Sequence, residues 1–243
     1  MTTSRTFVLL PGAWMGGWVW DEVAGHLRDH GHTVHTPTLT GLGKGDRTDD
    51  VRLAWHVEEI LNLLDTKDLT GVTLVGHSYS GMVAGQVADR RPERVCHTVF
   101  VQAFLPRVGR SLIDDWSQDP GARQREIEEI AARGGTWEPP TAGLSAEPDL
   151  SPAHRKALAS KLVPHPGHTV TDPAQMTHPV EALTATYVAS IPNDAEPLPR
   201  HVAALEAEPS WTVERIRAGH WPMVSFPAPL AARLEAAASR SPR

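Results

Sequence analysis

Short apolar runs alternate along the chain with stretches whose apolar positions recur every three or four residues. Residues 6–10 form a nearly continuous apolar run closed by Pro11, the pattern of a strand buried on both faces. Residues 19–30 place Val19, Val23 and Leu27 at helical spacing and stop at Gly31, a helix-ending signal. Residues 32–35 read as a second strand ended by Pro37, and 39–50 as a loop rich in Gly, Thr and Asp. The clearest helix is 51–64, where Leu53, Val57, Ile60, Leu61 and Leu64 share one face. Residues 72–75 predict a third strand, 81–90 a helix stopped by Arg91-Pro92, and 95–102 a fourth strand. This alternation calls for an α/β fold, a mostly parallel sheet covered by helices on both faces.

The rhythm breaks near Pro106. From 106 to 179 the chain is helical, polar and interrupted by Pro and Gly, with helices expected at 122–133 and 152–162 and no strand evident. The strand pattern returns at 183–190, followed by a helix at 199–206, a strand at 211–216 and a last, Ala-rich helix at 228–238. The expected organisation is therefore a core of residues 1–105 and 180–243, interrupted by a helical cap insert over 106–179. No internal repeat is visible.

Composition narrows the function. A chain of 243 residues buries enough surface to need no disulfide or metal staple, and a single cysteine, Cys96 in an apolar run, excludes a disulfide framework and reads as a buried, inert thiol. With 23 basic against 29 acidic residues the net charge is −6, which argues against a nucleic-acid partner. The longest N-terminal apolar run, residues 7–10, is too short for a secretory or membrane segment, so a cytoplasmic protein with no membrane partner is expected. The Ala, Arg and Pro content suggests a GC-rich bacterial source. A homodimer is left open.

Three stretches carry chemistry. Val75-Gly76-His77-Ser78-Tyr79-Ser80-Gly81 joins a strand to a helix through a small-x-Ser-x-small turn. Small residues two before and two after a nucleophile let the backbones pack closely, and the turn lifts the serine hydroxyl to the positive end of the next helix. Here the last small position is Ser80, with Gly81 behind it. Pro11-Gly12-Ala13-Trp14-Met15-Gly16-Gly17-Trp18 turns sharply after the first strand. Its glycines do not fit a dinucleotide fingerprint. An exposed N–H of Ala13 or Trp14 would, with that of Tyr79, stabilise an oxyanion. Gly219-His220-Trp221-Pro222-Met223 follows the last strand. Of 13 histidines, His220 alone has the chain order of a base that activates a serine. His26, His30, His32, His35, His56, His154, His165, His168, His178 and His201 are expected on surfaces or in loops, and His97 in the core.

With Thr36-Pro37-Thr38-Leu39-Thr40-Gly41-Leu42-Gly43, these motifs resemble the α/β-hydrolase superfamily. The likeness is greatest to its small carboxylesterases: bacterial pyrethroid-hydrolase-type esterases, plant methylesterases and hydroxynitrile lyases. The resemblance implies Ser78 as nucleophile, His220 as base, the N–H groups of Ala13 and Tyr79 as oxyanion donors, and no cofactor or metal. Many members carry His-Gly where this chain has Pro11-Gly12. Chain order places the acid of a Ser-His-Asp triad in the loop after residues 183–190, with Asp194 first, Glu196 second, and Asp114 or Asp115 more distant. Trp14 and Trp221 adjoin the loop and the base and are candidates for the wall of an apolar substrate pocket, whereas Trp18, Trp20 and Trp55 are expected in the core.

The expected function is a carboxylesterase for small to medium apolar esters. Two competing functions are a lyase, dehydratase or cyclase on the same scaffold, and a small-molecule receptor that lost turnover.

Overall fold

A computed structural model describes residues 4–191 and 198–240. The first half runs β1 (Thr6–Leu10), α1 (Asp21–Asp29), β2 (Thr33–His35), α2 (Leu53–Thr66), β3 (Val72–His77), α3 (Gly81–Arg90) and β4 (Val95–Val101). Between Val101 and the next sheet strand lie α4 (Leu112–Trp116), α5 (Pro120–Ala132), β5 (Thr136–Trp137), α6 (Pro152–Lys161), β6 (His165–Pro166) and α7 (His168–Thr171). The sheet then resumes with β7 (Ala185–Ser190), followed by α8 (Arg200–Ala204), β8 (Trp211–Ile216), α9 (Pro222–Ser225) and α10 (Pro227–Ser239).

Six strands form one parallel sheet in the order β2-β1-β3-β4-β7-β8. Alternate residues of β1 explain the two layers. Phe7 and Leu9 pack with Val23 and Leu27 of α1 and with Leu230 and Leu234 of α10. Val8 and Leu10 face Val57, Ile60 and Leu61 of α2 and Val83 and Val87 of α3 on the other side. Both strand faces are thus buried, which is why β1 reads as an unbroken apolar run.

The register decides where chemistry can assemble. Leu10 of β1 is level with Gly76 of β3, and His77 with Val101 of β4. Ser190 of β7 is level with Ile216 of β8. The loops leaving β1, β3, β4, β7 and β8 therefore emerge side by side at the carboxyl edge of the sheet, where open α/β sheets hold their ligands.

Residues 112–171 cap this edge and join both layers. Leu144, Leu150 and Leu158 extend the α1/α10 layer, while Leu112, Ile130, Trp137 and Val170 extend the α2/α3 layer. One departure from the pattern reading is the antiparallel pair β5–β6, with Trp137 opposite His165. Strands of two residues are too short to leave a periodic signal. Two further expectations fail. Cys96 is half-buried, its Sγ 3.5 Å from the Val72 carbonyl. Trp55 is 51% exposed, because it sits on the outer side of α2. No helix among the described residues is long and apolar enough to cross a membrane.

The layering makes a direct prediction. Ile60→Ala leaves a cavity between α2 and the sheet and should cost about 2–5 kcal/mol in urea-unfolding experiments. Trp55→Ala, five residues earlier on the same helix but facing solvent, should stay within about 0.5 kcal/mol.

Candidate active site

The turn after β3 is sharp. His77 is still extended (φ −95°, ψ 136°), Ser78 swings to φ +49°, and a single 3-10 turn leads into α3. A non-glycine residue in the left-handed region is strained and persists only where the surroundings over-determine it. Three close approaches do so. A Cβ on Gly76 would fall 2.5 Å from the Ser80 carbonyl oxygen, and one on Gly81 would strike the Phe104 carbonyl. The Phe104 N–H donates to the Ser78 carbonyl at 3.1 Å. Ser80 stands where a second small residue is required, and its hydroxyl donates to the Pro11 carbonyl, tying the turn to the loop after β1. Ser80 is thus a bridge as well as a small residue, and the tight approach passes to Gly81.

The outcome is a hydroxyl aimed at an imidazole. His220 Nε2 lies 3.1 Å from Ser78 Oγ. The base loop is held from beneath, since His77 Nε2–H donates to the His220 carbonyl at 2.8 Å. Burial lowers the His220 pKa to about 4, keeping the ring neutral and ready to accept a proton at neutral pH.

The loop after β1 lies against the same point. Trp14 also takes a left-handed backbone, φ +64°. Residues 137–165 hold it at three atoms. Its N–H donates to His165 Nδ1 (3.2 Å), its carbonyl accepts the Val163 N–H (3.0 Å), and its indole N–H donates to the Trp137 carbonyl (2.9 Å). With the Trp14 N–H engaged, Ala13 is left as the candidate oxyanion donor of this loop, opposite the N–H of Tyr79. Ala13, Trp14, Met15, Ser78, His220 and Trp221 line a narrow cleft with Pro140, Leu144 and Leu162 of the cap, and about 10 Å³ within it is free. On its other side His220 borders a wider cavity of about 380 Å³, whose lining includes Gln102, Phe104, Leu105, Arg107, Asp115, Tyr187 and His201.

These features coincide with a family match. The family model described as "Alpha/beta hydrolase family" matches residues 7–233. The chain belongs to the alpha/beta hydrolase family. This hydrolase is 31% identical to the carbendazim hydrolyzing esterase of Nocardioides sp. (strain SG-4G), over 95% of its own length and 98% of that protein's. It is also 31% identical to methyl jasmonate esterase 1 of Vitis vinifera, over 65% of this chain and 66% of that one. Its fold superposes on an extracellular alpha/beta-hydrolase from a Paenibacillus species with a TM-score of 0.82 at 25% identity, covering 98% and 100% of the two chains. Membership of the family, with a full-length relative that is an esterase, makes this chain a carboxylic ester hydrolase.

The remaining candidates separate cleanly. Asp194 and Glu196 lie outside the described residues. The Asp114 carboxylate closes a capping box with Ser111, and Asp115 pairs with Arg107 and Arg110. Among the described residues, the one side-chain hydrogen bond of the His220 ring is to Ser78.

Two histidines expected on the surface are fully buried in the site, His56 and His165, and His32 is buried elsewhere. His165 accepts from Trp14 at Nδ1 and therefore donates from Nε2 to Thr169 Oγ1 (2.9 Å), whose hydroxyl goes on to the Pro166 carbonyl. His56 donates from Nε2 to the Thr40 carbonyl and accepts the Tyr79 hydroxyl at Nδ1, both at 2.7 Å. Each ring thus has one fixed neutral tautomer. No periodicity marks them, because His165 follows Pro164 in an irregular run, and His56 sits beside the apolar stripe of α2 without being apolar.

Burial lowers the pKa of His56 to about 4 and that of His165 well below 6.5. Above pH 6.5 neither folded nor unfolded histidine is charged, so they contribute no pH dependence. Below it the unfolded chain binds protons that the fold refuses, and stability falls by about 1.4 kcal/mol per pH unit for each such histidine. Urea midpoints should drop steadily from pH 6.5 toward 4, and His56→Gln should flatten that slope.

Proposed function

We propose that this hydrolase is a cofactor-free serine carboxylesterase that cleaves small to medium apolar esters through an acyl-enzyme. The 3.1 Å approach of Ser78 Oγ to His220 Nε2 carries the reading. The imidazole removes the Ser78 proton as the oxygen attacks the ester carbonyl. The tetrahedral oxyanion rests on the N–H groups of Ala13 and Tyr79. His220 then protonates the departing alcohol, and a water activated by the same ring releases the acid. An imidazolium formed in so dry a place needs a negative partner, and Asp194, with Glu196 second, is proposed for it. The placement of Ile191 supports this, because its N–H donates to the Ile216 carbonyl at 2.9 Å, four residues before the base. The apolar walls of Trp14 and Trp221 beside Ser78 suit an apolar acyl group, and the wider cavity bordered by His220 suits the larger part of the ester.

A chain-length series of p-nitrophenyl esters on wild type and Ser78→Ala tests this reading. Wild-type kcat/KM should be highest at the short end, and Ser78→Ala or His220→Ala should lower it by several orders of magnitude. A fully active Ser78→Ala would instead indicate non-covalent chemistry that needs the base alone. Because the neutral imidazole is the active form, kcat/KM should rise with pH through one step between about 4 and 6.5 and stay level to pH 8. Asp194→Asn should cost about 10²–10⁴-fold in kcat.

A further inference from the structure

The base loop has two partners that the serine–histidine pair does not account for. Glu147 and Asp149 belong to the cap, 73 and 70 residues before the loop residues they touch. Glu147 Oε2 accepts the backbone N–H of His220 at 2.9 Å, and Asp149 Oδ2 accepts that of Gly219 at 2.8 Å. Residue 219 is glycine for a steric reason, since a Cβ there would collide with both Glu147 Oε2 and Asp149 Oδ1. The carboxylates therefore occupy the space that a side chain would need. The Asp149 Oδ1 atom is buried with no hydrogen-bond partner among the described residues. A carboxylate oxygen left dry and unpaired is costly, and residues that bear that cost tend to sit where geometry is functionally constrained.

From this arrangement we infer that Glu147 and Asp149 are positioning residues for the proposed esterase reaction, a carboxylate clamp through which the cap holds the His220 backbone in register with Ser78. The clamp works opposite His77. His77 fixes the His220 carbonyl from the sheet, and Glu147 fixes its N–H from the cap, so the peptide units on both sides of the base are anchored. Arg155 of α6 steadies the clamp by donating to the Glu147 carbonyl at 2.8 Å. The charged and titratable groups bonded to the base loop among the described residues are therefore His77 from β3 and Glu147 and Asp149 from the cap, with Arg155 behind them. The inference rests on the serine-esterase reading for its kinetic consequence, but the clamp itself can be read without activity.

The test compares Glu147→Ala, Glu147→Gln, Asp149→Ala and Gly219→Ala with wild type. Amide hydrogen exchange at Gly219 and His220 should be slow in wild type and accelerate at least tenfold where the clamp is removed. On the preferred p-nitrophenyl ester, kcat should fall by about ten- to a hundredfold in the alanine variants with KM within about twofold, the size expected for misplacement of a reacting group. Gly219→Ala should produce the same loss with both carboxylates still present. Glu147→Gln keeps an acceptor oxygen and should recover most of kcat, with exchange at His220 close to wild type. Wild-type exchange and kcat in folded Glu147→Ala and Asp149→Ala would overturn the inference. If the alanine variants do not fold, wild-type kcat in folded Gly219→Ala overturns it alone. Failure of the esterase reading is separable, because it would show as Ser78→Ala matching wild type whatever the exchange rates.

Discussion

One backbone reversal governs the rest of this molecule. Between His77 and Ser78 the chain leaves an extended strand and enters a left-handed conformation that a serine adopts only under constraint. The constraint is steric and local: no Cβ fits at Gly76 or Gly81, and the Ser80 hydroxyl is bonded to the Pro11 carbonyl. That bond makes the reversal more than a turn, because it sets the loop carrying Ala13 and Trp14 at a fixed height beside Ser78. Three of the four described non-glycine residues with positive φ are Trp14, Ser78 and Gln102, each just beyond the end of β1, β3 or β4. Strain is thus concentrated at the carboxyl edge of the sheet, where the fold's stable layers hold it in place.

The cap completes this edge as well as covering it. Trp14 is gripped at its N–H, its carbonyl and its indole by atoms of His165, Val163 and Trp137. The pair β5–β6 makes little contribution to stability by length, but its register puts Trp137 and His165 together where Trp14 needs them. Leucines of the same segment enter one core layer, and Trp137 and Val170 enter the other. A cap rooted in both layers, with bonds to Trp14 after β1 and to Gly219 and His220 after β8, frames the Ser78–His220 pair. The space left beside the Ser78–His220 pair lies in the narrow cleft by Trp221 and in the wider cavity bordered by His220.

Much of the fold is legible in the sequence because buried parallel strands and amphipathic helices write themselves as runs and stripes. Residues 6–10 and the face Leu53, Val57, Ile60, Leu61 and Leu64 are examples, and each is buried as its pattern requires. The Ser78–His220 pairing is legible because the turn restricts the neighbours of Ser78 to small residues and because chain order singles out His220. What the sequence hides is polar and long-range. His56 and His165 look like surface residues because their burial is made possible by partners at Thr40, Tyr79, Trp14 and Thr169, of which only Thr169 is within a few residues of its histidine. Glu147 and Asp149 look like solvated acids for the same reason. Trp55 errs the other way, an apolar residue on the outer side of α2.

The proposed chemistry requires Ser78 to be a nucleophile that His220 activates. Incubation of the intact protein with a fluorophosphonate probe at pH 7.5, followed by peptide mass spectrometry, reads this without any assumption about the natural substrate. A single stoichiometric adduct on Ser78, slowed by orders of magnitude in His220→Ala, is the expected result. An adduct at another residue, or none at all on folded protein, would contradict it.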